Sequence, residues 1–201
     1  LDPQRYAHIW EGDYLRNSDR QVFAGKYRAA EFAPREGWDG PYHGLDFGFS
    51  QDPTAAVECW IADRRLYIYK EAGKVKLELD DTAQYIESAI PGLCSNVVRA
   101  DSARPESISY LKRHGMPRVT GVEKWKGSVE DGVQFIRSFD EVVIHPSCRE
   151  VLNEFNLYSY KVDKYTGDIK ADIVDAYNHY IDAIRYALGP MIRRKDFIFS
   201  C

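Results

Sequence analysis

The order in which strand-like and helical stretches follow one another constrains the fold of this chain more than any other sequence feature. Three short stretches rich in aromatic and apolar residues come first, joined by tight turns, over residues 42–49, 54–62 and 66–72. Short connections of this kind predict an antiparallel meander. After Gly73, helical and strand-like stretches alternate as far as Leu188, and this alternation predicts parallel pairing of the later strands.

The alternating part continues the sheet that the meander begins. Its predicted helices cover about residues 80–90, 105–115, 128–139, 148–157 and 176–188, and its predicted strands about 96–101, 118–122 and 141–145. We therefore predict an α/β domain with a mixed central sheet, in which three antiparallel strands are followed by parallel strands, flanked by helices. This order resembles that of an RNase H-like fold. We place the domain over residues 41–190, a leading segment over 1–40 and a C-terminal tail over 191–201.

Length and composition agree with a single soluble domain. Of the 201 residues, 44% are hydrophobic, which is enough to bury a core. The four cysteines, at positions 59, 94, 148 and 201, are too scattered for a zinc ribbon or a disulfide framework, so we expect a reducing setting. No stretch has the roughly 18 consecutive apolar residues of a membrane helix, and the N-terminus lacks the features of a signal peptide, so we expect no membrane contact.

The formal net charge of −4 is unfavourable for a protein that binds nucleic acid through bulk electrostatics. Non-specific affinity comes from Lys and Arg side chains that displace counterions, so any role on nucleic acid must depend on a local site. Clustered aspartates weaken this argument, since bound divalent cations would neutralise them and turn that surface toward phosphate.

Asp46 lies within the first strand-like stretch, in the sequence GLDFG. A carboxylate in mid-strand is costly unless it is paired, hydrogen-bonded or bound to a metal ion. The alternative interpretation is a strand residue that faces solvent. Alternation directs Leu45 and Phe47 to the opposite face, and Gly44 and Gly48 would leave the Asp46 face open to the close approach of a phosphate backbone.

Asp101 ends the strand-like stretch NVVRA. Its carboxylate is therefore predicted at the carboxyl edge of a parallel strand, where open α/β sheets bind their ligands. The alternative is a helix cap, in which Asp101 or Ser102 precedes the helix that begins near Pro105. Position alone fits a cap and a ligand equally well.

The predicted helix in VDAYNHYIDAIRYAL, residues 174–188, carries three polar residues on one face. Asp175, His179 and Asp182 are spaced four and three residues apart. Asp175 can be the helix N-cap, and His179 can simply hydrogen-bond to a nearby carboxylate. Asp182 lies more than a turn inside the predicted helix, too far from its start for capping.

Asp46, Asp101 and Asp182 come from three distant positions in the chain, and together they form the set of acids that two Mg²⁺ or Mn²⁺ ions about 4 Å apart require. Hard cations prefer oxygen ligands, so carboxylates rather than Cys or His should dominate such a site. Glu71, at the end of the third strand-like stretch, is a fourth candidate acid, although glutamates at strand ends are usually solvated.

The segment VEKWKGS, residues 122–128, contains Lys124 and Lys126 and ends in Ser128. Ser128 is predicted to cap the next helix, with Asp131 at the third helical position. One interpretation of the segment is a solvated loop followed by this cap. The other is a phosphate-contacting loop, because two cations beside a helix N-terminus form a ready anion site.

These segments together resemble the C-terminal nuclease domain of the large terminase subunit of tailed bacteriophages, the motor protein that packages and cuts the viral genome. The resemblance is carried by GLDFGFSQDPTA, ADSARPESISYLKRHG, GVEKWKGSVEDGVQFIRS, VVIHPSC and NHYIDAIRYAL, over roughly residues 40–190. The pattern NHxxDAxRYAL with two partner aspartates is fairly specific. The resemblance implies Asp46, Asp101 and Asp182 as the catalytic, metal-binding acids and His179 as the accompanying histidine.

The resemblance also implies an activity and partners. We expect hydrolysis of double-stranded DNA with little sequence preference, with Lys124, Lys126 and Arg104 on the DNA backbone. The expected partners are an ATPase domain of the same protein, the portal and the small terminase subunit, in the cytoplasm of an infected bacterium. The chain has no G-x-x-x-x-G-K-[ST] phosphate loop, so we interpret it as a nuclease half that begins at the interdomain linker, residues 1–40.

Several alternatives stay open at this point. The same fold can act on branched junctions or RNA–DNA hybrids, and a non-catalytic docking module of a packaging complex would use the same aspartates structurally. Asp175 and Glu71 remain candidates to join the site. The tail RRKDFIFSC either docks on another packaging component or frays at the chain terminus.

Overall fold

The computed structural model describes residues 19–193, except for the side chain of Arg193. Its strands are β1 (Tyr27–Ala29), β2 (Asp39–Asp46), β3 (Pro53–Ala62), β4 (Arg65–Val75), β5 (Val98–Ala100), β6 (Val119–Gly121), β7 (Glu141–Ile144), β8 (Tyr160–Val162) and β9 (Ile169–Ile173). Its helices are α1 (Leu79–Ala89), α2 (Pro105–Arg113), α3 (Ser128–Ser138), α4 (Arg149–Leu157), α5 (His179–Ala187) and α6 (Gly189–Arg193). Seven strands form one sheet in the order β1-β7-β4-β3-β2-β5-β6, and β8 pairs with β9.

The pairing of the strands confirms the predicted mixed sheet with an antiparallel meander at its centre. β2, β3 and β4 pair antiparallel in chain order. β5 adds to β2 and β7 adds to β4, both in parallel. β6 and β1 then extend the two edges, again in parallel. Helices supply the long connections that parallel strands need, and this requirement explains the alternating half of the sequence.

Apolar side chains fill both faces of the sheet. On one face α1 and α2 pack over β2, β5 and β6, with Leu45 and Leu111 fully buried between them. On the other face α3, α4 and α5 bury Ile68, Phe155 and Ile184. The most extensive helix–sheet packing is that of α5 on β2 and β3. The helix that carries the predicted site therefore lies directly on the centre of the sheet.

Close packing of α5 on the sheet depends on Gly44. A Cβ atom at this position would overlap the carbonyl oxygen of Ala183 and crowd the amide nitrogen of Ala187. Gly48 likewise leaves room for the backbone of Asp52. The prediction that these glycines open a face to phosphate is wrong, because protein backbone occupies the space beside both of them.

The leading segment joins the domain in the part that the structure describes. β1 pairs with β7, and Val22 and Phe23 are fully buried, with the Phe23 ring stacked 4.5 Å from that of Phe155. The sheet therefore begins before the predicted boundary at residue 41. An edge strand of three residues, YRA, is too short to display an alternating pattern. Residues 1–18 and 194–201, which include most of the predicted tail, lie outside the described residues.

The β8–β9 hairpin is an element that the sequence does not signal. Its side chains are exposed or only partly buried, so no alternation of apolar and polar residues marks the two strands. The turn contains Gly167 at a φ of 77°, and Lys170 Nζ lies 2.9 Å from Asp163 Oδ2 across the hairpin. The hairpin connects α4 to the segment that precedes α5.

The start of α3 differs from the predicted capping box. Gly127, in the left-handed conformation, is the N-cap, and Ser128 is the first helical residue without a side-chain cap bond. The Asp131 carboxylate instead accepts a hydrogen bond from the indole N–H of Trp125 at 2.6 Å. This bond fixes the loop that carries Lys124 against the helix that follows it.

The remaining predictions from composition concern cysteines and membrane spans. Cys59, Cys94 and Cys148 are buried and free, in agreement with a chain that needs no disulfide framework. None of the helices between residues 19 and 193 has the length and apolar composition to cross a membrane.

Candidate active site

A cleft of about 740 Å³ lies at the carboxyl ends of β2 and β5, beside the N-terminus of α5. Asp46, Asp101, Asp182 and His179 all line it, and so does Lys124. The other acids of the lining are Asp52, Glu150, Glu154 and Asp175. The lining thus holds seven carboxylates against one Lys and one His, and this excess of negative charge favours the binding of cations.

Asp46 is the last residue of β2 rather than a mid-strand residue. Because Leu45 packs under α1 and α2, alternation turns the Asp46 side chain toward α5. Asp46 is only 8% exposed, and its Oδ2 lies 3.2 Å from Nδ1 of His179. The other imidazole nitrogen, Nε2, lies 3.2 Å from Oδ1 of Asp52. His179 therefore bridges two carboxylates.

His179 is a cation at neutral pH in this environment. The hydrogen bond to Asp46 raises the pKa of His179 to about 9, and the charges of Asp46, Asp52 and Glu154 add to this rise against the opposing effect of burial. With both ring nitrogens protonated, the imidazolium donates a hydrogen bond to Asp46 and forms an ion pair with Asp52. It holds the Asp46 carboxylate in one orientation at the rim of the cleft.

Asp101 directly follows β5, as the strand-end prediction has it. Its Oδ1 accepts the backbone N–H of Ala103 at 2.9 Å, in a local turn, and pairs with the Lys124 ammonium. The N-cap of α2 is Arg104, so Asp101 does not cap that helix. Lys124 also lies over the Tyr186 ring, 5.4 Å from its centroid. The carboxylate thus has one rigid partner and one on a flexible side chain.

Asp182 pairs with Arg185 on the same helix, through Oδ1 and Nη1. Arg185 is 5% exposed, and its Nη2 donates to the carbonyl oxygen of Ser128 at 3.1 Å. The guanidinium passes beside Gly132 of α3, where a Cβ atom would lie 2.5 Å from Nε. Arg185 therefore fixes one oxygen of Asp182 and ties α5 to the start of α3.

The acids of the cleft influence one another. Burial raises the pKa of Asp182, the positive charge of Arg185 opposes this rise, and the negative charge of Asp46 adds to it. The carboxylates of Asp182, Asp46 and Asp101 all raise the pKa of Tyr186 in addition to its burial. Three acids from β2, β5 and α5 therefore share one electrostatic environment.

Helix α5 begins three residues later than the sequence predicts. Tyr177 has a φ of 56°, which an α-helix cannot contain, so the helix begins at His179 rather than near Ala176. Asp182 consequently lies in the first turn. Asp175 is not the N-cap. It lies in the segment before the helix, where its Oδ1 accepts the side-chain amide of Asn178 at 3.1 Å.

Glu154 of α4 supplies the carboxylate that the N-terminus of α5 needs, and sequence reasoning missed it. Its two oxygens accept the backbone N–H groups of His179, Tyr180 and Ile181 at 2.8–3.0 Å. These are free donors of the first turn, and a negative charge there also complements the helix dipole. No local pattern could reveal the interaction, because Glu154 lies 25 residues before His179.

Glu71, the fourth candidate acid, has the same kind of role one helix earlier. It accepts the backbone N–H groups of Glu150 and Val151 at 3.1 and 2.9 Å, at the start of α4. Among the described residues it is not part of the cleft lining. The two other predicted DNA-contacting residues, Lys126 and Arg104, are exposed and also lie outside that lining.

The donor set of the cleft fits divalent cations chemically, although its ligands are not grouped around one point. Carboxylate oxygens are the ligands that Mg²⁺ and Mn²⁺ prefer. Within the part of the chain that the structure describes, no three His, Cys, Asp or Glu side chains converge closely enough to hold a metal ion. Lys124, Arg185 and His179 each engage one of the three aspartates. Convergence on an ion requires the three carboxylates to move closer together.

Comparisons with known proteins agree with this architecture. Residues 46–189 match the family described as the terminase RNase H-like domain. The chain is 34% identical over 193 residues to the terminase large subunit of Bacillus phage SPP1, and 31% identical over 147 residues to the PBSX phage terminase large subunit of Bacillus subtilis. It covers 44% and 33% of the lengths of these relatives, which correspond to 91% and 72% of this chain.

A solved structure extends the comparison to three dimensions. The nuclease domain of the SPP1 large terminase, crystallised with bound Mn, superposes with a TM-score of 0.74 at 32% identity, covering 83% of this chain and 97% of that domain. The match confirms an RNase H-like fold. Because the family match covers most of this chain, the chain belongs to the RNase H-like nuclease domains of phage large terminases.

Proposed function

We propose that this domain is a metal-dependent endonuclease that cuts double-stranded DNA with little sequence preference, with Asp46, Asp101 and Asp182 as its metal-binding acids. One observation carries the proposal. Acids from the end of β2, the end of β5 and the first turn of α5 line a single cleft, together with a cationic His179. The Mn bound to the SPP1 nuclease domain, a relative at 32% identity, supports the choice of cation.

Two Mg²⁺ or Mn²⁺ ions held by these acids would neutralise the scissile phosphate and polarise the attacking water. The protein side chains prepare the site for this chemistry. The seven carboxylates of the lining repel one another, and they also repel the negatively charged phosphodiester of DNA. DNA can therefore bind in the cleft only when added positive charge offsets this repulsion. Cations held by these acids would supply that positive charge.

Lys124 is the residue best placed to pass from acid to substrate. It is 41% exposed at the side chain and pairs with Asp101 at the cleft. An exposed ion pair of this kind contributes little to stability, so exchange of its partner costs little. When Asp101 turns to a cation, the ammonium becomes available to a phosphate oxygen. Lys126 and Arg104 are proposed to contact the DNA backbone farther from the cut.

His179 and Arg185 orient the other two acids. The imidazolium donates to Asp46 from one side, and the buried guanidinium holds one oxygen of Asp182 from the other. Each acid thus keeps a second oxygen that no described basic side chain binds within ion-pair distance. We propose that these second oxygens are the ones that coordinate the cations.

This chain spans less than half the length of its relatives, which are whole large terminase subunits. We propose that the domain acts beside an ATPase domain of the same protein in the cytoplasm of an infected bacterium, where it generates genome ends during DNA packaging. The portal and the small terminase subunit are the proposed partners.

A plasmid assay tests the proposal. The domain with Mn²⁺ or Mg²⁺ is expected to nick and then linearise supercoiled plasmid. Asp46→Asn, Asp101→Asn and Asp182→Asn are each expected to lower the rate about a thousandfold or more, equivalent to about 4 kcal/mol of transition-state stabilisation. The thermal midpoints of these variants should stay close to that of the wild type.

Asp81→Asn is the matched control, because Asp81 is an exposed acid on α1, on the opposite face of the sheet. It should cut at the wild-type rate. Undiminished cutting by the three cleft variants would refute the assignment. Side-by-side rates on plain duplex, branched junctions and RNA–DNA hybrid decide the substrate, and a Mn²⁺-independent thermal midpoint without cutting would indicate a docking module instead.

A further inference from the structure

A second cavity, of about 310 Å³, lies below the 122–127 loop on the α5 side of the sheet edge. Arg99 of β5, Thr120 of β6, Trp125 and the first two residues of α6, Gly189 and Pro190, line it. The cavity falls within the size range of small-molecule sites. Gly121, Val122 and Glu123 complete the lining, and Glu123 is exposed and already has an interaction partner.

Arg99 is the unusual residue of this cavity. Its side chain is half-buried, and burial lowers the pKa of its guanidinium, a sign of incomplete compensation of its charge. Within residues 19–193 it forms no ion pair with a carboxylate. Its hydrogen bond is a single long one, 3.3 Å from Nη1 to the carbonyl oxygen of Ala187. Desolvated guanidinium groups are normally paired with an anion.

The cavity and the active-site cleft are neighbours. A shallow depression between them is lined by Lys124 and Tyr186, which it shares with the cleft, and by Trp125 and Gly189, which it shares with the cavity. Gly189 lies seven residues after Asp182, or about 10 Å along the helix direction. That distance corresponds to roughly two to three nucleotides of a strand that rises 3.4 Å per nucleotide.

We infer that this cavity binds a phosphodiester of the cut DNA strand, two to three nucleotides from the scissile phosphate. The inference rests on the proposed nuclease function. Arg99 donates to the phosphate oxygens, the Thr120 hydroxyl adds a second donor, and the Trp125 side of the cavity contacts the sugar. The DNA strand then passes from the cleft across Lys124 to Arg99. The side chains of Lys124 and Arg99 contact successive positions of its phosphate backbone.

The competing role for Arg99 is structural. Basic side chains often bind the last carbonyl groups of a helix, and Ala187 ends α5. That role uses one of the five N–H donors of the guanidinium, through a long bond. It leaves the remaining donors of the guanidinium, which lines the cavity, without a protein acceptor among the described residues.

Equilibrium binding of a short labelled DNA duplex, with Ca²⁺ in place of the catalytic ion, tests the inference. Arg99→Gln should raise the Kd about tenfold, the effect of one charge-assisted contact, and reduce the slope of log affinity against log salt by about 0.9. Arg113→Gln is the matched control. Arg113 also donates to a backbone carbonyl, that of Ser109 at 3.2 Å, but on α2 across the sheet. It should change neither quantity appreciably.

Three outcomes would overturn the inference. Arg99→Gln with a lower thermal midpoint and an unchanged Kd indicates the structural role. Equal losses in the Arg99 and Arg113 variants indicate bulk electrostatics. A thermal shift with inorganic phosphate that requires Arg99, without any effect on the DNA Kd, indicates a site for a free anion. Failure of the nuclease proposal is seen separately, as an uncut plasmid with DNA binding that still depends on Arg99.

Discussion

Two groups of acids surround the first turns of α4 and α5, and they differ in what holds them. Glu71 and Glu154 accept hydrogen bonds from backbone N–H groups at the helix starts. Asp101 and Asp182 pair with side-chain cations, and Asp46 with the His179 imidazolium. Glu154 and the three aspartates line the cleft, and Glu71 lies outside its lining.

In the proposed function, this difference separates the acids that fix the helix starts from the acids that bind metal ions. A backbone N–H group cannot leave its acceptor without a change in the helix that carries it, so acids of the first group fix where α4 and α5 begin. A lysine can swing aside when a stronger cation arrives, and the His179 imidazolium and the Arg185 guanidinium each bind only one oxygen of their acid. Under the proposed function, acids held by side chains are therefore available to metal ions and substrate, and acids held by the N–H groups of a helix start are not. Substitutions in the two groups of acids should therefore have different effects on stability and on cutting.

The largest effect on stability is expected from removal of the capping acid at α5. Glu154→Leu leaves the N–H groups of His179, Tyr180 and Ile181 without their acceptor in a buried place. At about 1–3 kcal/mol for each unsatisfied group, partly recovered by water, the free energy of unfolding should fall by roughly 3–5 kcal/mol. Urea denaturation with an unchanged m-value measures the loss.

Asp182→Asn provides the contrast for this measurement. It removes a partner of Arg185 but also a charge that repels Asp46, so its free energy of unfolding should change by less than about 1 kcal/mol while cutting is lost. If Glu154→Leu abolished cutting at full stability, Glu154 would belong to the chemistry and the division would fail.

The pH dependence of Glu154 is expected to be nearly as large. Burial raises the pKa of Glu154 to about 7, against the lowering by three backbone N–H donors and by His179. The folded chain therefore binds this proton more tightly than the unfolded chain, where the pKa is 4.5. The stabilisation is complete below about pH 4.5 and is lost as the pH rises through about 7.

Comparison with Glu154→Gln isolates this contribution, because Gln cannot ionise. The free energy of unfolding of the wild type minus that of the variant should fall by on the order of 3 kcal/mol between about pH 4.5 and pH 8. A difference that stays constant or rises across this window would mean that the backbone donors outweigh burial at this site.

The division also explains which parts of the molecule the sequence could predict. Strands β2, β3 and β4 were predictable because short aromatic and apolar runs and tight turns are local signals, and Asp101 was placed correctly because a strand end is local too. β1 and the β8–β9 hairpin were not, since their pairing depends on distant partners and their side chains carry no apolar pattern.

Residues that hold the site in place were harder to predict than residues that line it. Asp46 and Asp182 stand out as charges in apolar surroundings. Glu154 does not, because its partners lie 25 to 27 residues away. The start of α5 was misplaced for a related reason: the positive φ of Tyr177 is imposed by the fold, and tyrosine gives no sign of it.

Gly132 offers a smaller perturbation that acts on the cleft from outside it. The methyl group of Gly132→Ala would press on the buried Arg185 side chain, which pairs with Asp182. Overpacking of this kind costs about 1–3 kcal/mol, and displacement of the guanidinium should also slow cutting. Gln134→Ala, at an exposed position of the same helix, is the control. Normal cutting by a destabilised Gly132→Ala would show that Arg185 does not orient Asp182.

The smallest effect is expected at Lys124, where protein cation and metal ion compete for Asp101. Lys124→Gln removes the competitor, so Mn²⁺ should raise the thermal midpoint at a concentration two- to fivefold lower, the equivalent of about 0.4–1 kcal/mol for an exposed ion pair. DNA binding should weaken at the same time, because a phosphate contact is lost.

Lys170→Gln removes the comparable pair with Asp163 in the hairpin and should leave the Mn²⁺ response unchanged. Opposite shifts of Mn²⁺ and DNA affinity are the signature of a residue that exchanges partners. A loss of both Mn²⁺ affinity and DNA affinity would instead make Lys124 a fixed part of the metal site. Side-chain cations of the cleft would then hold the site in place, as the backbone N–H groups do at the helix starts.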